Sequence, residues 1–279
     1  MTDLIGCSGA VEERQLWLLS PGPSRSADTP AHKAAATSAE NVQGDSKSMQ
    51  LPPDMVRLLE RRPPVELTPE DVAAFERLYT EAVEHGTGVE IAYDLSAPKW
   101  QFLCYLTDNK GVLVHGSTKQ DIEEFEPRQA DDVGEFGNRK AVYAASDALW
   151  AMYFAVTDRS RGVNSLHNAS FRVVQEDGSK SEPYYFFSIN SDALPHQPWC
   201  NGTIYILPRE GFEPQPPGTL RGMTGEIPQW ASPKPIRPLA RLNITPADFP
   251  FLAKVRGHNH AVLRERIRHD PEGFPWVDK

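Results

Sequence analysis

The spacing of apolar positions divides the chain into a helical first third and a strand-rich remainder. Val72, Phe75, Leu78, Tyr79 and Val83 recur three and four residues apart, which places them on one face of a helix. Thr68-Pro69-Glu70-Asp71 opens that helix, with Thr68 as a cap, Pro69 in the first helical position and two acids in the first turn. Gly86 can end it. Val89 to Tyr93 alternates as a strand does. Lys99 to Thr107 predicts a second helix, with Trp100, Leu103, Cys104 and Leu106 apolar and Asp108 to Gly111 as its stop. From Val112 the pattern predicts short strands at 112–115, 141–144, 171–175, 184–190 and 203–207. One helix, from about Asp147 to Val156, interrupts them, and a last helix runs from Asn259 to Arg268. Twelve of the 25 prolines fall between Pro195 and Pro250. Proline has no ladder donor, so edge strands and ordered loops are expected there rather than long helices.

Residues 1–50 contain one aromatic, Trp17, and from Ser20 to Ser48 consist mostly of Ser, Ala, Pro, Thr, Gly and charged residues. Such a segment buries too little apolar surface to offset its ordering entropy, and disorder is expected. The pattern thus gives a tail over 1–50, a helical extension over 51–107 and a main domain over 108–279 that ends in a helix.

Composition adds limits. Net charge is −9, and this acidic balance argues against non-specific nucleic-acid binding, which relies on Lys and Arg neutralising phosphates. Cys7, Cys104 and Cys200 are odd in number and far apart, with neither metal spacing nor a disulfide framework. A reducing cytoplasm is the expected compartment. Met1 to Ile5 has no basic start and no long apolar run, so no signal peptide is expected, and no stretch reaches membrane-spanning length.

The candidate chemistry begins at His115-Gly116-Ser117, which follows the apolar run Val112 to Val114. The pattern reads as a strand that stops in a tight polar turn, where glycine lets a ligand approach the backbone. Tyr143 follows inside Ala141 to Asp147, and Tyr153 lies on the helix after it. One imidazole, one exposed backbone turn and two aromatic rings suit a flat, amide-bearing aromatic ligand on a sugar. His258-Asn259-His260 has metal-like spacing but no accompanying thiol or carboxylate cluster, so no metal is expected.

His115-Gly116-Ser117 with the Tyr143 segment resembles the ADP-ribosyltransferase superfamily, specifically the His-Tyr-Glu branch related to the poly(ADP-ribose) polymerases and the tRNA 2′-phosphotransferases. The resemblance spans about residues 112–245. It implies an α+β fold, a split two-sheet ADP-ribosyltransferase-like architecture with an N-terminal helical addition, and NAD held in the cleft. It implies that His115 holds a ribose, that the Gly116 backbone with Ser117 grips the nicotinamide amide, and that Tyr143 and Tyr153 (or Trp150 in its place) sandwich the ring. Arg128 would meet the pyrophosphate, since a guanidinium fork matches phosphate oxygens. The family's catalytic Glu lies on a late strand, often before an aromatic. Here chemistry selects Glu226, and the following Trp230 selects Gln229. The activity implied is NAD-dependent mono-ADP-ribosylation with release of nicotinamide, to a protein, nucleic-acid or small-molecule acceptor. Two alternatives are a non-catalytic module that binds NAD or ADP-ribose and an RNA 2′-phosphotransferase-like enzyme.

Overall fold

The structure is a computed structural model that describes residues 14–16, 51–86, 88–132 and 134–277. Helix α1 (Pro69–Glu84) starts as its sequence demands. The Thr68 hydroxyl accepts from the Asp71 N–H while the Asp71 carboxylate accepts from the Thr68 N–H, a reciprocal capping box. Helix α2 (Lys99–Asn109) turns Phe102, Leu103, Cys104 and Leu106 inward. The strands that follow are β1 (Leu113–Ser117), β2 (Lys140–Ala145), β3 (Leu166–Val174), β4 (Tyr184–Asn190), β5 (Gly202–Leu207), β6 (Met223–Glu226), β7 (Gln229–Ser232) and β8 (Ala240–Ile244). Helix α3 (Ala148–Val156) separates β2 from β3, and α4 (His260–His269) closes the chain.

The strands form two mostly antiparallel sheets, so the fold is α+β. One sheet runs Glu213–Pro214, β7, β2, β1, β5, β8, Val89–Glu90. The other is built on β3, which pairs with β4 along one edge and with β6 along the other. Helix α3 lies between the two: the Trp150 indole donates to Asn168 of β3, and the Tyr153 hydroxyl donates to the Ser188 carbonyl of β4. Its other side rests on β1 and β5 through two glycines. A Cβ on Gly116 would lie 1.9 Å from the Ala151 carbonyl oxygen, and one on Gly202 would lie 1.9 Å from that of Ala155.

The expected division at 107 does not mark a separate core. Phe75, Phe102 and Leu106 join Leu149, Phe187 and Leu242 in one buried cluster. Of the expected strand 89–93, only Val89–Glu90 forms, paired with Ala240–Arg241. The expected tail lies outside the described residues except for Arg14–Leu16, a short strand beside Leu166–His167. The proline-rich stretch holds no α-helix among the described residues, as expected, but its strands are not all edges. β8 sits between β5 and Val89–Glu90, and β7 between β2 and Glu213–Pro214. Apart from Pro214 in the edge strand Glu213–Pro214, the prolines lie outside the strands, leaving β5, β7 and β8 free of them. β3 begins five residues before the predicted 171, because Leu166 to Ser170 pair with β4 although polar residues interrupt the apolar pattern. No described helix is long and apolar enough to cross a membrane.

Candidate functional site

His115-Gly116-Ser117 is strand rather than turn: these residues pair with Tyr205, Ile204 and Thr203 of β5. What sets the segment apart lies on its other edge. β1 and β2 share one register pair, Val114 with Ala145. Beyond it the ladder stops, and the His115 imidazole reaches across instead, its Nδ1 lying 2.7 Å from the Tyr143 carbonyl oxygen. The sheet is therefore split at the residues that the sequence singled out.

The imidazole is half-buried and held from its other side. Its ring centroid is 4.7 Å from that of Phe125, which meets Tyr205 edge-on at 5.1 Å. Phe125 and Ile236 exchange backbone hydrogen bonds, and the Tyr205 hydroxyl donates to the Lys119 carbonyl while accepting from the Ile122 N–H. Residues 118–127 are thereby pinned over the strand. The Ser117 hydroxyl accepts from the Lys119 N–H and starts that segment. Arg128 is exposed on a two-residue strand, opposite Ala141.

Tyr143 and His115 do not present their side chains to one face. Leu113 and His115 share the side that packs against Phe125, and Val114 belongs to the core around α3. On β2 the alternation runs the other way: Val142 and Ala144 join the Phe125 cluster, whereas Tyr143 packs with Phe136, Ala141 and Ala231. The Tyr143 hydroxyl accepts from the Arg139 N–H at 2.8 Å and lies 3.0 Å from the Phe136 carbonyl oxygen. That fixes the phenol while leaving the ring partly exposed. The Arg139 guanidinium lies 4.6 Å over the Phe136 ring and 3.6 Å from Glu213.

Two expected sandwich residues are corrected. Tyr153 is fully buried; its ring packs against Phe154, Phe187 and Phe249, and its hydroxyl is used on Ser188. Burial also pushes its phenol pKa up. Trp150 is equally buried. Both sit on the helix that fills the space between the sheets, so neither offers a ring face to a ligand. Gly116 is corrected in part: its missing side chain accommodates α3.

Glu226 and Gln229 fall on different sheets. Glu226 ends β6, opposite Arg172 of β3, and its carboxylate lies 2.5 Å from Lys180. Gln229 begins β7, opposite Ala145, beside the strand of Tyr143. It is 3% exposed, and its side-chain oxygen has no hydrogen-bond partner among the described residues. A buried amide oxygen without a donor is costly.

The sequence reading missed the groups around the first turn of α3. Asp147 caps that helix through the Trp150 N–H and accepts from the Tyr185 hydroxyl at 2.6 Å. Burial holds the Asp147 pKa above the ordinary carboxylate range, although Tyr185, the Trp150 N–H, Arg62 and Arg172 pull it down. Asn168 Nδ2 and Ser170 Oγ, on the inner face of β3, are buried without partners among the described residues. Ser146-Asp147 ahead of an apolar run carries a capping signal. The Tyr185 partner, 38 residues away, has no local signal. His258 of the metal-like pair is occupied otherwise: its ring nitrogens lie 2.6 Å from Ser188 Oγ and 2.9 Å from Ser165 Oγ, and His260 shares Ser165 at 2.8 Å.

Comparison with protein-family models, curated proteins and solved structures gives no match.

Proposed function

We propose that the protein binds NAD where β1 and β2 part and acts as an ADP-ribosyltransferase that releases nicotinamide slowly. The observation that carries this reading is the split itself. His115 bonds the Tyr143 carbonyl where the ladder ends, and Gln229 holds an unpaired acceptor on the neighbouring strand. That acceptor fits a ribose hydroxyl, which would supply the missing donor. The nicotinamide ring would rest on the exposed face of Tyr143, stacked on one side only. The backbone at Gly116 would take the carboxamide, and His115 would hold the split in shape from the opposite face.

In the reaction, the bond between ribose C1″ and the nicotinamide nitrogen breaks. Nicotinamide leaves as a neutral base with the bonding pair. The acceptor nucleophile bonds to C1″ and gives its proton to solvent. The transition state gathers positive charge on the ribose, and a fixed anion stabilises it far better than a neutral amide does. Gln229 orients the hydroxyl without that charge, and Glu226 belongs to the other sheet. Slow transfer of single ADP-ribose units follows. The same two observations favour a second reading, a module that binds NAD or ADP-ribose without turnover.

The test is calorimetric titration of the full chain with NAD, together with a measurement of free nicotinamide. Saturable binding with slow release supports the transferase, and binding without release supports the module. Absence of binding overturns both.

A further inference from the structure

With none of the residues of the split in its lining, an open cleft of about 390 Å³ is enclosed by the C-terminal segment and the stretch after Leu51. That volume is within the range of small-molecule sites, which begin near 300 Å³. Its apolar wall is formed by Met55, Leu58, Pro275 and Trp276. Two opposite charges line it without compensating one another. Arg221 donates through Nη2 to the carbonyls of Gly273 and Phe274, at 3.2 and 3.1 Å, and has no carboxylate at ion-pair distance among the described residues. The Asp270 carboxylate lies over Gly273, where a Cβ would be 2.4 Å from its Oδ2, and no Lys, Arg or His among the described residues pairs with it. The other charges have assigned contacts: Arg266 donates to the Trp276 carbonyl, and His269 lies 3.9 Å from Glu265. Asp54 also borders the cleft.

The backbone is strained at two of the lining residues. Arg221 and Trp276, with φ of 49° and 51°, are two of the three non-glycine residues with positive φ among the described residues. L side chains rarely adopt that conformation, and it persists where surrounding contacts enforce it, commonly at ligand sites. Arg221-Gly222 is the turn of the hairpin between Gly218–Leu220 and β6, a position that ordinarily favours Asn or Asp before Gly. Arginine there aims a guanidinium at the tail.

From this geometry we infer a second ligand site that takes a free apolar α-amino acid, with its carboxylate on Arg221, its ammonium on Asp270 and its side chain against Met55, Leu58 and Trp276. A ligand with one charge leaves either the cation or the anion of the cleft unmatched, and a zwitterion meets both. The guanidinium fork suits a carboxylate in particular.

The test titrates the full chain calorimetrically with L-leucine and L-phenylalanine. Isoamylamine and 4-methylpentanoate are the one-charge controls. Saturable binding of the amino acids is expected, with the controls at least tenfold weaker. Arg221→Gly keeps the left-handed turn without strain, and Asp270→Asn keeps the side-chain shape; each should weaken binding at least tenfold while NAD titrates as in the parent chain. No saturation by either amino acid, controls that bind equally well, or unchanged affinity in both variants overturns the inference. Because the NAD titration is read in parallel, failure here is distinct from failure at the split.

Discussion

The Nδ1 of His115 and the carbonyl oxygen of Tyr143, 2.7 Å apart, take the place of the ladder between β1 and β2. A side chain thus closes a gap that backbone would close in a continuous sheet. An imidazole in this role fixes its own ring and the strand of Tyr143 together. His115→Ala should therefore loosen the split and weaken NAD by up to about tenfold, the effect of losing one hydrogen bond of about 1 kcal/mol. Calorimetry on the variant checks it, and unchanged affinity would remove His115 from the site.

Tyr143 separates two roles that one substitution would confuse. Tyr143→Phe keeps the ring but strips the hydroxyl that receives the Arg139 N–H and reaches the Phe136 carbonyl. Stability should fall by about 1–2 kcal/mol with NAD affinity nearly intact. Tyr143→Ala removes the ring as well and should weaken NAD by about tenfold. Urea unfolding and calorimetry read the two effects separately. If the Phe variant lost as much affinity as the Ala variant, the hydroxyl rather than the ring face would be the contact.

Gly116 tests how closely α3 lies on the split strand. A methyl group would meet the Ala151 carbonyl oxygen at 1.9 Å, and backbone on both sides cannot yield as a side chain would. Gly116→Ala should destabilise by about 3 kcal/mol or more, at or above the upper end of ordinary overpacking. A midpoint shift in urea of less than about 1 kcal/mol equivalent would show that helix and strand are further apart.

These contacts show where the sequence was legible. The periodicity of Val72 to Val83 and the run Tyr184 to Asn190 specified α1 and β4, because one apolar face or a continuous buried strand leaves a local signature. The His115 and Tyr143 segments could be picked out as strands for the same reason. That Tyr153 is core could not, because α3 is apolar on nearly every side and no face of it reads as a cleft. Asn168 and Ser170 broke the pattern of β3, and the first half of that strand was missed. Their polarity faces the space between the sheets, which exists only once both sheets have formed. The sheet assignment of Glu226 and Gln229, three residues apart, depends on a crossing at Pro228 that composition does not encode.

Asp147 should matter more to stability than its place at the first turn of a helix suggests. Asp147→Ala removes a cap, worth about 1 kcal/mol, and leaves the buried Tyr185 hydroxyl without its acceptor, at about 1–3 kcal/mol. A combined loss of about 2–4 kcal/mol is expected in urea unfolding. Tyr185→Phe in the same background should then add little, because the partners act as one unit. Additive losses would mean that the 2.6 Å contact does not couple them.

The buried histidines predict acid lability. Burial lowers the pKa of His167 from 6.5 to about 3, against a contact with the Pro275 carbonyl that raises it. Burial, then neighbouring His260, lowers that of His258 to about 4, and Asp192 opposes them. The folded state therefore binds fewer protons than the unfolded chain below pH 6.5. Stability should be insensitive to these groups above about pH 7 and should fall as pH drops from 6.5 toward 4. With both groups contributing, the slope approaches about 2.7 kcal/mol per pH unit. Unfolding midpoints at pH 7.5, 6.5, 5.5 and 4.5 measure it, and NMR should show two imidazoles that stay neutral at pH 5.5. A flat stability profile down to pH 5 would contradict the buried, neutral assignment.

The last prediction concerns the charge at the split. Glu226 is partly exposed and paired with Lys180 on the sheet that lacks Tyr143. Glu226→Gln should leave NAD binding and nicotinamide release unchanged and alter stability by no more than about 1 kcal/mol. Gln229 starts the strand beside Tyr143, with a buried oxygen that lacks a donor. Gln229→Glu preserves the shape and adds the anion that an oxocarbenium-like ribose requires. Release of nicotinamide should rise about a hundredfold, the scale of one preorganised transition-state contact, with little change in NAD affinity. Burial should hold the new carboxyl's pKa up, so the gain should grow with pH as the group ionises. A pH-dependent gain confined to Gln229→Glu would identify a transferase site that lacks its charge. Equal release by the parent chain and both variants would remove residues 226 and 229 from the chemistry, and binding without release by all three would leave the module as the reading of the split.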